Sequence, residues 1–179
     1  MELPSSRLAG LQREHIIALR LYSSDSFRLF NVGMRAKTKP HPIRFTVYVL
    51  YEALKKLRRV VAKENPDEYN KVKVLWRGMK DMTLDFEAFK RTGGTELAPM
   101  STTDDIEVAK AYASSQRGLI FEYETKGNSR GVEIADFSMY PMEREFLYPP
   151  LTYLMLDTHK RIKKLEDGTI VVPIIPHMS

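Results

Sequence analysis

The chain has 179 residues, of which 43% are hydrophobic and 28% charged, and it contains no cysteine. This composition is typical of one globular domain, and the lack of cysteine excludes disulfides, thiolate metal sites and a cysteine nucleophile. Neither a signal-peptide core nor an apolar run of membrane-spanning length is present, so we expect an intracellular protein, or a domain of a longer one, with no membrane partner.

The first 68 residues are predicted to be helical. Apolar residues recur at helical spacing over residues 8–19, a second helix is expected over 26–34, and a longer one over 43–63. Two prolines separate the last two helices, because the residue before a proline disfavours helical backbone. Residues 1–80 hold 17 Lys and Arg against 7 Asp and Glu. The basic cluster at 55–59 falls within the amphipathic pattern, which favours a solvated helix face over a nucleic-acid surface.

The remainder of the chain is predicted to be mainly β-structure. Strand-like segments occur at residues 72–76, 119–123, 132–134, 144–148, 151–156 and 169–174. One helix interrupts them, with an apolar side that includes Ile106 and with Asp104 and Glu107 at capping-box spacing. Helices followed by strands favour an α+β fold. We expect one domain over residues 1–179, with a helical subregion over 1–68 and a core over 69–179.

The segment Glu143-Arg144-Glu145 lies at the start of one predicted strand. Residues two apart on a strand point to the same side, so Glu143 and Glu145 should share a face while Arg144 points away. Two adjacent carboxylates repel each other, so at least one should have a raised pKa or a cationic partner. Such a pair suits cleavage through an oxocarbenium-like state, the class to which breakage of the nicotinamide–ribose bond of NAD belongs. From this motif alone, two ordinary solvated glutamates are the simpler interpretation.

Two further segments place polar side chains where a ligand could reach them. Trp76-Arg77-Gly78 sets an arginine, which can form two hydrogen bonds to a phosphate, beside a glycine that permits close approach of a ligand. Gly93-Gly94-Thr95 leads to Ser101-Thr102-Thr103, a cluster of hydroxyls just before the predicted helix. Taken singly, each is better explained by a solvated strand end or by capping of that helix.

In their order and spacing, the three segments resemble the R-S-E signature of the arginine-type mono-ADP-ribosyltransferases. The likeness covers about residues 15–157 and includes Pro149-Pro150 and the helical residues Leu21-Tyr22-Ser23 and Phe30-Asn31. It implies a split β-sandwich of two small, mainly antiparallel sheets that form a cleft for NAD, with N-terminal helices packed on one side. One departure is Ala98-Pro99-Met100, where the family often has an aromatic residue, and it leaves the packing against nicotinamide open.

The resemblance also implies how NAD would be held. Arg77, beside Gly78, would bind an NAD phosphate, while Ser101, with Thr102, would orient the glutamate and the ribose. Glu145 would hydrogen-bond the ribose 2′-hydroxyl and stabilise the positive charge that develops on the sugar. NAD is then a cosubstrate and no metal is expected, in keeping with four histidines that lack metal-like spacing.

The acceptor is implied by the residues just before Glu145. Glu143 would hold an acceptor arginine of a target protein and take its proton during attack. Tyr140, in the loop of residues 136–142, would contact that protein. Two other functions remain open from the sequence: an NAD glycohydrolase, for which water is the acceptor, and a catalytically inactive NAD-binding module of the same fold. The oligomeric state is not predicted.

Overall fold

Helices make up most of the chain before residue 71. The structure is a computed structural model that describes residues 7–36, 39–140 and 142–178. Among the described residues, four helices with defined bounds precede the first strand, and two more lie between the strands that follow. Their bounds are α1 (Arg13–Ser23), α2 (Phe27–Arg35), α3 (Arg44–Glu64), α4 (Pro66–Asn70), α5 (Phe86–Thr92) and α6 (Ile106–Ala113).

Nine strands follow from residue 73 onward in the described part of the chain. They are β1 (Lys73–Met79), β2 (Gly94–Glu96), β3 (Met100–Thr103), β4 (Leu119–Thr125), β5 (Val132–Glu133), β6 (Glu145–Tyr148), β7 (Thr152–Leu156), β8 (Lys163–Lys164) and β9 (Ile170–His177). The strands pair in the order β2-β7-β9-β4-β1-β3-β6-β5, with β8 on β9. All pairs are antiparallel except β4 with β9. The predicted α+β class is confirmed.

The sheet divides into two parts between β1 and β3. Their pairing consists of one register pair, Trp76 opposite Thr103, whereas β1 pairs with β4 along seven residues. This weak junction corresponds to the split expected between two small sheets. Because the strands diverge there, side chains at the junction are not covered by a continuous sheet, and a cleft can form beside them.

Two large apolar clusters and a third, smaller one hold the layers together. Helices α1, α2 and α3 contribute Leu19, Phe30 and Leu54 to a core that also contains Leu147 of β6. The second core contains Leu75, Phe121, Tyr123, Phe146 and Tyr148, from strands on both sides of the β1–β3 junction. Burial of such side chains stabilises the fold by roughly 1.5–3 kcal/mol each. The N-terminal helices are thereby fixed against β6, the strand that carries Glu145.

Three predictions of local structure were wrong. The hydroxyl segment at 101–103, expected just before the helix as a possible cap, is strand β3. Two helices, α5 and α6, interrupt the strands where one was expected, and β2 was not predicted at all. The cap of α6 is Asp105, whose carboxylate accepts from the Glu107 N–H at 2.8 Å, and not Asp104. The strands are too short to show a clear alternation, and adjacent aspartates offer no sequence criterion for which one adopts the cap backbone.

Candidate active site

Three strands around the β1–β3 junction carry the arginine, the serine and the glutamate of the predicted site. Arg77 lies in β1, Ser101 in β3, and Glu145 is the first residue of β6. Pairing of β3 with β6 sets Thr103 opposite Glu145, so Ser101 lies two residues along on the same face as Thr103. Strand pairing therefore brings together side chains that are 24 and 44 residues apart in the sequence.

Two hydrogen bonds connect these three residues through Ser101. The Ser101 hydroxyl donates to Glu145 Oε1 at 2.5 Å. Arg77 donates from Nη1 to the backbone carbonyl of Ser101 at 3.1 Å. Ser101 thus contacts the glutamate through its side chain and the arginine through its backbone. A charge-assisted bond to a carboxylate is stronger than a neutral one, so the Glu145 side chain is held in a defined orientation.

The carboxyl group of Glu145 is in an unusual environment. Burial raises its pKa above the ordinary value, the hydrogen bond from Ser101 lowers it, and the charge of Glu143 raises it further. The sequence predicted a raised pKa or a cationic partner for at least one of the two glutamates, and Glu145 has the raised pKa. A carboxylate removed from water interacts strongly with any positive charge that forms beside it.

Glu143 lies in a turn and not in the strand. Strand β6 begins at Glu145, and the Glu143 N–H donates to the Tyr140 carbonyl at 3.0 Å. The argument from strand alternation therefore does not apply to this pair. Both carboxylates nevertheless line the same cleft, Glu145 partly buried and Glu143 exposed at the mouth.

Arg144 does not simply point away from the site, as the sequence predicted. Its guanidinium forms ion pairs with Asp104 at 2.7 Å and with Glu133 at 3.1 Å, and the residue also contributes to the cleft lining. These pairs tie the turn before β6 to the segment before α6 and to β5. The position of Glu143 thus depends on an arginine whose contacts lie far away in the sequence.

The cleft itself has a volume of about 550 Å³. Helices α1 and α2 form one wall, β1 and β3 the floor, and α6 with the turn before β6 the opposite wall. Its lining consists of Tyr22, Ser23, Ser24, Asp25, Phe27, Asn31, Arg35, Trp76, Arg77, Gly78, Ser101, Thr102, Thr103, Val108, Ala109, Tyr112, Ser138, Tyr140, Glu143, Arg144 and Glu145. All seven predicted site residues are in this set.

Two of the predicted site residues, Gly78 and Thr102, have a role in packing. A methyl group on Gly78 would collide with the backbone carbonyl of Ala109, so the glycine is required where α6 crosses β1. The Thr102 hydroxyl donates to the Phe146 carbonyl at 2.8 Å and is buried between β3 and β6. Gly78 and Thr102 therefore shape the cleft through the packing of its floor.

The sequence interpretation missed several residues of the lining. Asn31 of α2 is buried, and its Oδ1 has no hydrogen-bond partner among the described residues. Arg35, one helical turn further on, carries a half-exposed guanidinium. Both residues lie in the helical segment that the family resemblance covers, but their periodicity indicated only that the segment is helical.

Aromatic side chains reach the cleft from elements other than the expected one. Trp76 of β1 and Tyr112 of α6 both line it, although the segment before Ser101 contains no aromatic residue. Tyr112 is 59% exposed, and its pKa is raised by burial and by the charges of Glu143, Glu145 and Tyr140. Trp76 and Tyr112 thus give the cleft an apolar surface for a ring, although the segment Ala98-Pro99-Met100 lacks the expected aromatic residue.

The loop before β6 is described except for residue 141. The Met139 N–H donates to the Ser23 hydroxyl at 2.9 Å, which attaches the loop to α1 across the cleft. Met139 and Tyr140 are each more than half exposed, and Met142 is 94% exposed. Large apolar side chains this exposed are typical of a surface that contacts another protein.

Two observations concern other kinds of site. In the described ranges, no group of three or more His, Asp or Glu side chains is arranged to hold a metal ion. None of the helices described is both long and apolar enough to cross a membrane.

The fold and the cleft define the class of the protein. An α+β fold of this topology, with helices before a mainly antiparallel sheet, is that of ADP-ribosyltransferases, for which NAD is the cosubstrate. The chain belongs to the NAD:arginine ADP-ribosyltransferase family, whose model matches residues 4–166. The reaction class is therefore NAD-dependent mono-ADP-ribosyl transfer. No curated protein matches the chain significantly.

Solved structures with the same fold come from several bacteria. The ADP-ribosyltransferase HopU1 of Pseudomonas syringae pv. tomato is 19% identical, with a TM-score of 0.75 over 97% of this chain and 80% of that one. The Vis toxin of Vibrio splendidus is 17% identical, with a TM-score of 0.70 over 97% and 77%. Exoenzyme S of Pseudomonas aeruginosa, solved with a human 14-3-3 protein and carba-NAD, is 17% identical, with a TM-score of 0.67 over 91% and 73%.

Proposed function

We propose that this chain transfers ADP-ribose from NAD to an arginine side chain of a protein and releases nicotinamide. The observation that carries the proposal is the cleft in which Ser101 is hydrogen-bonded both to Arg77 and to Glu145 while Glu143 lies at the mouth. Each group has a separate part in the reaction.

The NAD diphosphate would lie near the guanidinium groups of the cleft. Arg77, which is 16% exposed, and the more exposed Arg35 both line the cleft. Two guanidiniums can share the charge of a diphosphate through several N–H donors. Asn31 offers a buried acceptor, Oδ1, for an N–H or O–H group of the dinucleotide. Such an acceptor is costly to leave unpaired, so a ligand that donates to it gains affinity.

Glu145 would act on the sugar. Its carboxylate accepts a hydrogen bond from the ribose 2′-hydroxyl while Ser101 holds its other side. As the bond between ribose C1′ and nicotinamide breaks, nicotinamide leaves with the electron pair and positive charge develops on the ribose ring. A fixed negative charge in a partly buried site stabilises this state more than the ground state.

Glu143 would act on the acceptor. A guanidinium is protonated at neutral pH and is a poor nucleophile until a proton is removed. The exposed Glu143 carboxylate can pair with an incoming arginine and take a proton as the guanidine nitrogen forms its bond to C1′. Water occupies this position in the absence of an acceptor, and hydrolysis of NAD results.

The surface around the mouth supports a protein acceptor. Tyr112, Met139, Tyr140 and Met142 expose large side chains around Glu143. A free arginine analogue would contact few of these groups, whereas a protein could cover them all. We expect a protein acceptor to be modified at lower concentration than a small guanidine compound for this reason.

The test is nicotinamide release by the purified chain, measured with and without an arginine analogue, together with transfer of labelled ADP-ribose. The proposal predicts release in both cases and a labelled adduct when the guanidine is present. Release without any adduct, on the analogue or in a protein lysate, would indicate an NAD glycohydrolase. NAD binding by calorimetry without release would indicate an inactive binding module.

A further inference from the structure

The carboxylate of Glu96 pairs with two of the three arginines that line the cleft, Arg35 and Arg77. Arg35 donates to it from Nε at 3.1 Å and from Nη2 at 2.9 Å, and Arg77 Nη2 lies 3.6 Å away. The two Nη2 atoms approach the same oxygen, Oε2, while Oε1 also accepts from the Ala98 N–H at 3.1 Å. Both oxygens of Glu96 are therefore occupied by the arginines and by the backbone that leads to β3.

Glu96 lies behind the arginines and not in the cleft. It ends strand β2, its side chain is 17% exposed, and it is not among the described residues that line the cavity. Because β2 pairs with β7, with Glu96 opposite Thr152, its backbone is held by the sheet. The carboxylate therefore joins a helix (α2), a strand (β1) and the segment before Ser101 from a fixed position.

Two like-charged guanidiniums beside one another repel, and a long arginine side chain has many rotamers. Arg35 is 47% exposed, and its side-chain contacts in the described part of the chain include a bidentate pair with Glu96. A carboxylate between two arginines removes the repulsion and restricts both side chains to one geometry. Ligand affinity is higher when the binding groups are ordered before the ligand arrives.

We propose that Glu96 is a positioning residue that holds Arg35 and Arg77 together so that both guanidiniums face the diphosphate of one NAD molecule. This inference rests on the proposed function, since it takes NAD as the ligand of the cleft. Glu96 itself makes no contact with substrate. It acts through the two arginines, so it should affect the binding of NAD more than the chemical step.

The test is Glu96→Gln, compared with the unchanged chain for NAD affinity by calorimetry and for KM and kcat of nicotinamide release. We expect the Kd and KM for NAD to rise about tenfold, the loss typical of one charge-assisted contact, with kcat changed far less. The substitution removes a negative charge near an anionic ligand, which alone would tighten binding. Weaker binding therefore reports lost positioning and not altered net charge.

Controls separate this inference from folding and from the proposed function. Glu124→Gln removes an exposed carboxylate that pairs with Lys160 at 2.7 Å outside the cleft, and it should leave the KM for NAD unchanged. Glu96→Asp keeps the charge on a shorter side chain and should give a KM for NAD between those of the unchanged chain and Glu96→Gln. This variant tests the inference if Glu96→Gln fails to fold. A purely structural role would lower the thermal midpoint without changing the KM of the folded chain.

Two results would overturn the inference: a KM for NAD in Glu96→Gln within twofold of the unchanged chain, or tighter binding of NAD. Tighter binding would mean that the only effect of the Glu96 carboxylate on NAD is electrostatic repulsion of the diphosphate. If the unchanged chain fails to bind NAD at all, the proposed function is wrong as well. The two failures are thus distinguishable in one set of measurements.

Discussion

The Ser101 hydroxyl reaches diagonally across the β3–β6 pair to the Glu145 carboxylate, whose direct neighbour in the register is Thr103. A diagonal contact of this kind depends on the two strands keeping their register, because a slip by one residue would turn Ser101 to the other face. The Thr102 hydroxyl bond to the Phe146 carbonyl fixes that register from the buried side. The orientation of the acidic group is therefore a property of the strand pair as a whole.

Replacement of Glu145 by Gln should abolish most of the activity. The amide oxygen can still accept from Ser101, so the cleft keeps its shape, but the negative charge that we propose stabilises the sugar cation is lost. We expect kcat for nicotinamide release to fall about a hundredfold to a thousandfold. NAD affinity measured by calorimetry should change little. Release within tenfold of the unchanged chain would contradict the role given to Glu145.

Ser101→Ala should shift the pH dependence of the reaction. In the proposed mechanism the ionised form of Glu145 is the active one. Burial holds the pKa of Glu145 above the ordinary value while the Ser101 bond lowers it. Removal of that bond raises the pKa further, so the rate should begin to fall at a higher pH on acidification. The measurement is kcat for nicotinamide release against pH, with the exposed Thr95→Ala as a matched control. If kcat falls at the same acidic pH in Ser101→Ala and in the unchanged chain, Ser101 does not influence the ionisation of Glu145.

Glu143→Gln should separate transfer from hydrolysis. In the proposed mechanism, an acceptor guanidinium then has neither an ion-pair partner nor a proton acceptor at the mouth, while the groups proposed to hold NAD are unchanged. We expect transfer of labelled ADP-ribose to an arginine analogue to fall at least about a hundredfold, with slow NAD hydrolysis retained. Glu124→Gln, which removes an exposed carboxylate that pairs with Lys160 outside the cleft, is the control. Undiminished transfer by the Glu143→Gln variant would show that Glu143 has no role in binding or deprotonating the acceptor.

Gly78→Ala should destabilise the fold before it affects chemistry. The added methyl would meet the Ala109 carbonyl oxygen, which is backbone and cannot rotate away. Forcing α6 off β1 should cost about 1–3 kcal/mol in the free energy of unfolding, measured by denaturant titration. Gly94→Ala would meet the edge of the Phe89 ring at 3.2 Å, a side chain that can shift, and should cost less. Equal losses in the two variants would show that the α6 crossing is not the constraint.

Much of the fold could be predicted from local pattern. The helix expected over residues 43–63 is observed at Arg44–Glu64, and the strand expected over 119–123 at Leu119–Thr125. Such elements are long enough for their periodicity to repeat, and a proline or glycine marks their ends. The three motifs, read in order, were sufficient to indicate the family and with it the class of reaction.

What the sequence alone determined is therefore the order of the elements, the identity of the polar side chains and their likeness to a family. The tertiary structure decided which of them meet. Arg35 and Glu96 are 61 residues apart and show no local pattern that relates them, yet they form a bidentate pair. Strand register and helix packing set that contact, and neither can be derived from the periodicity of a single segment.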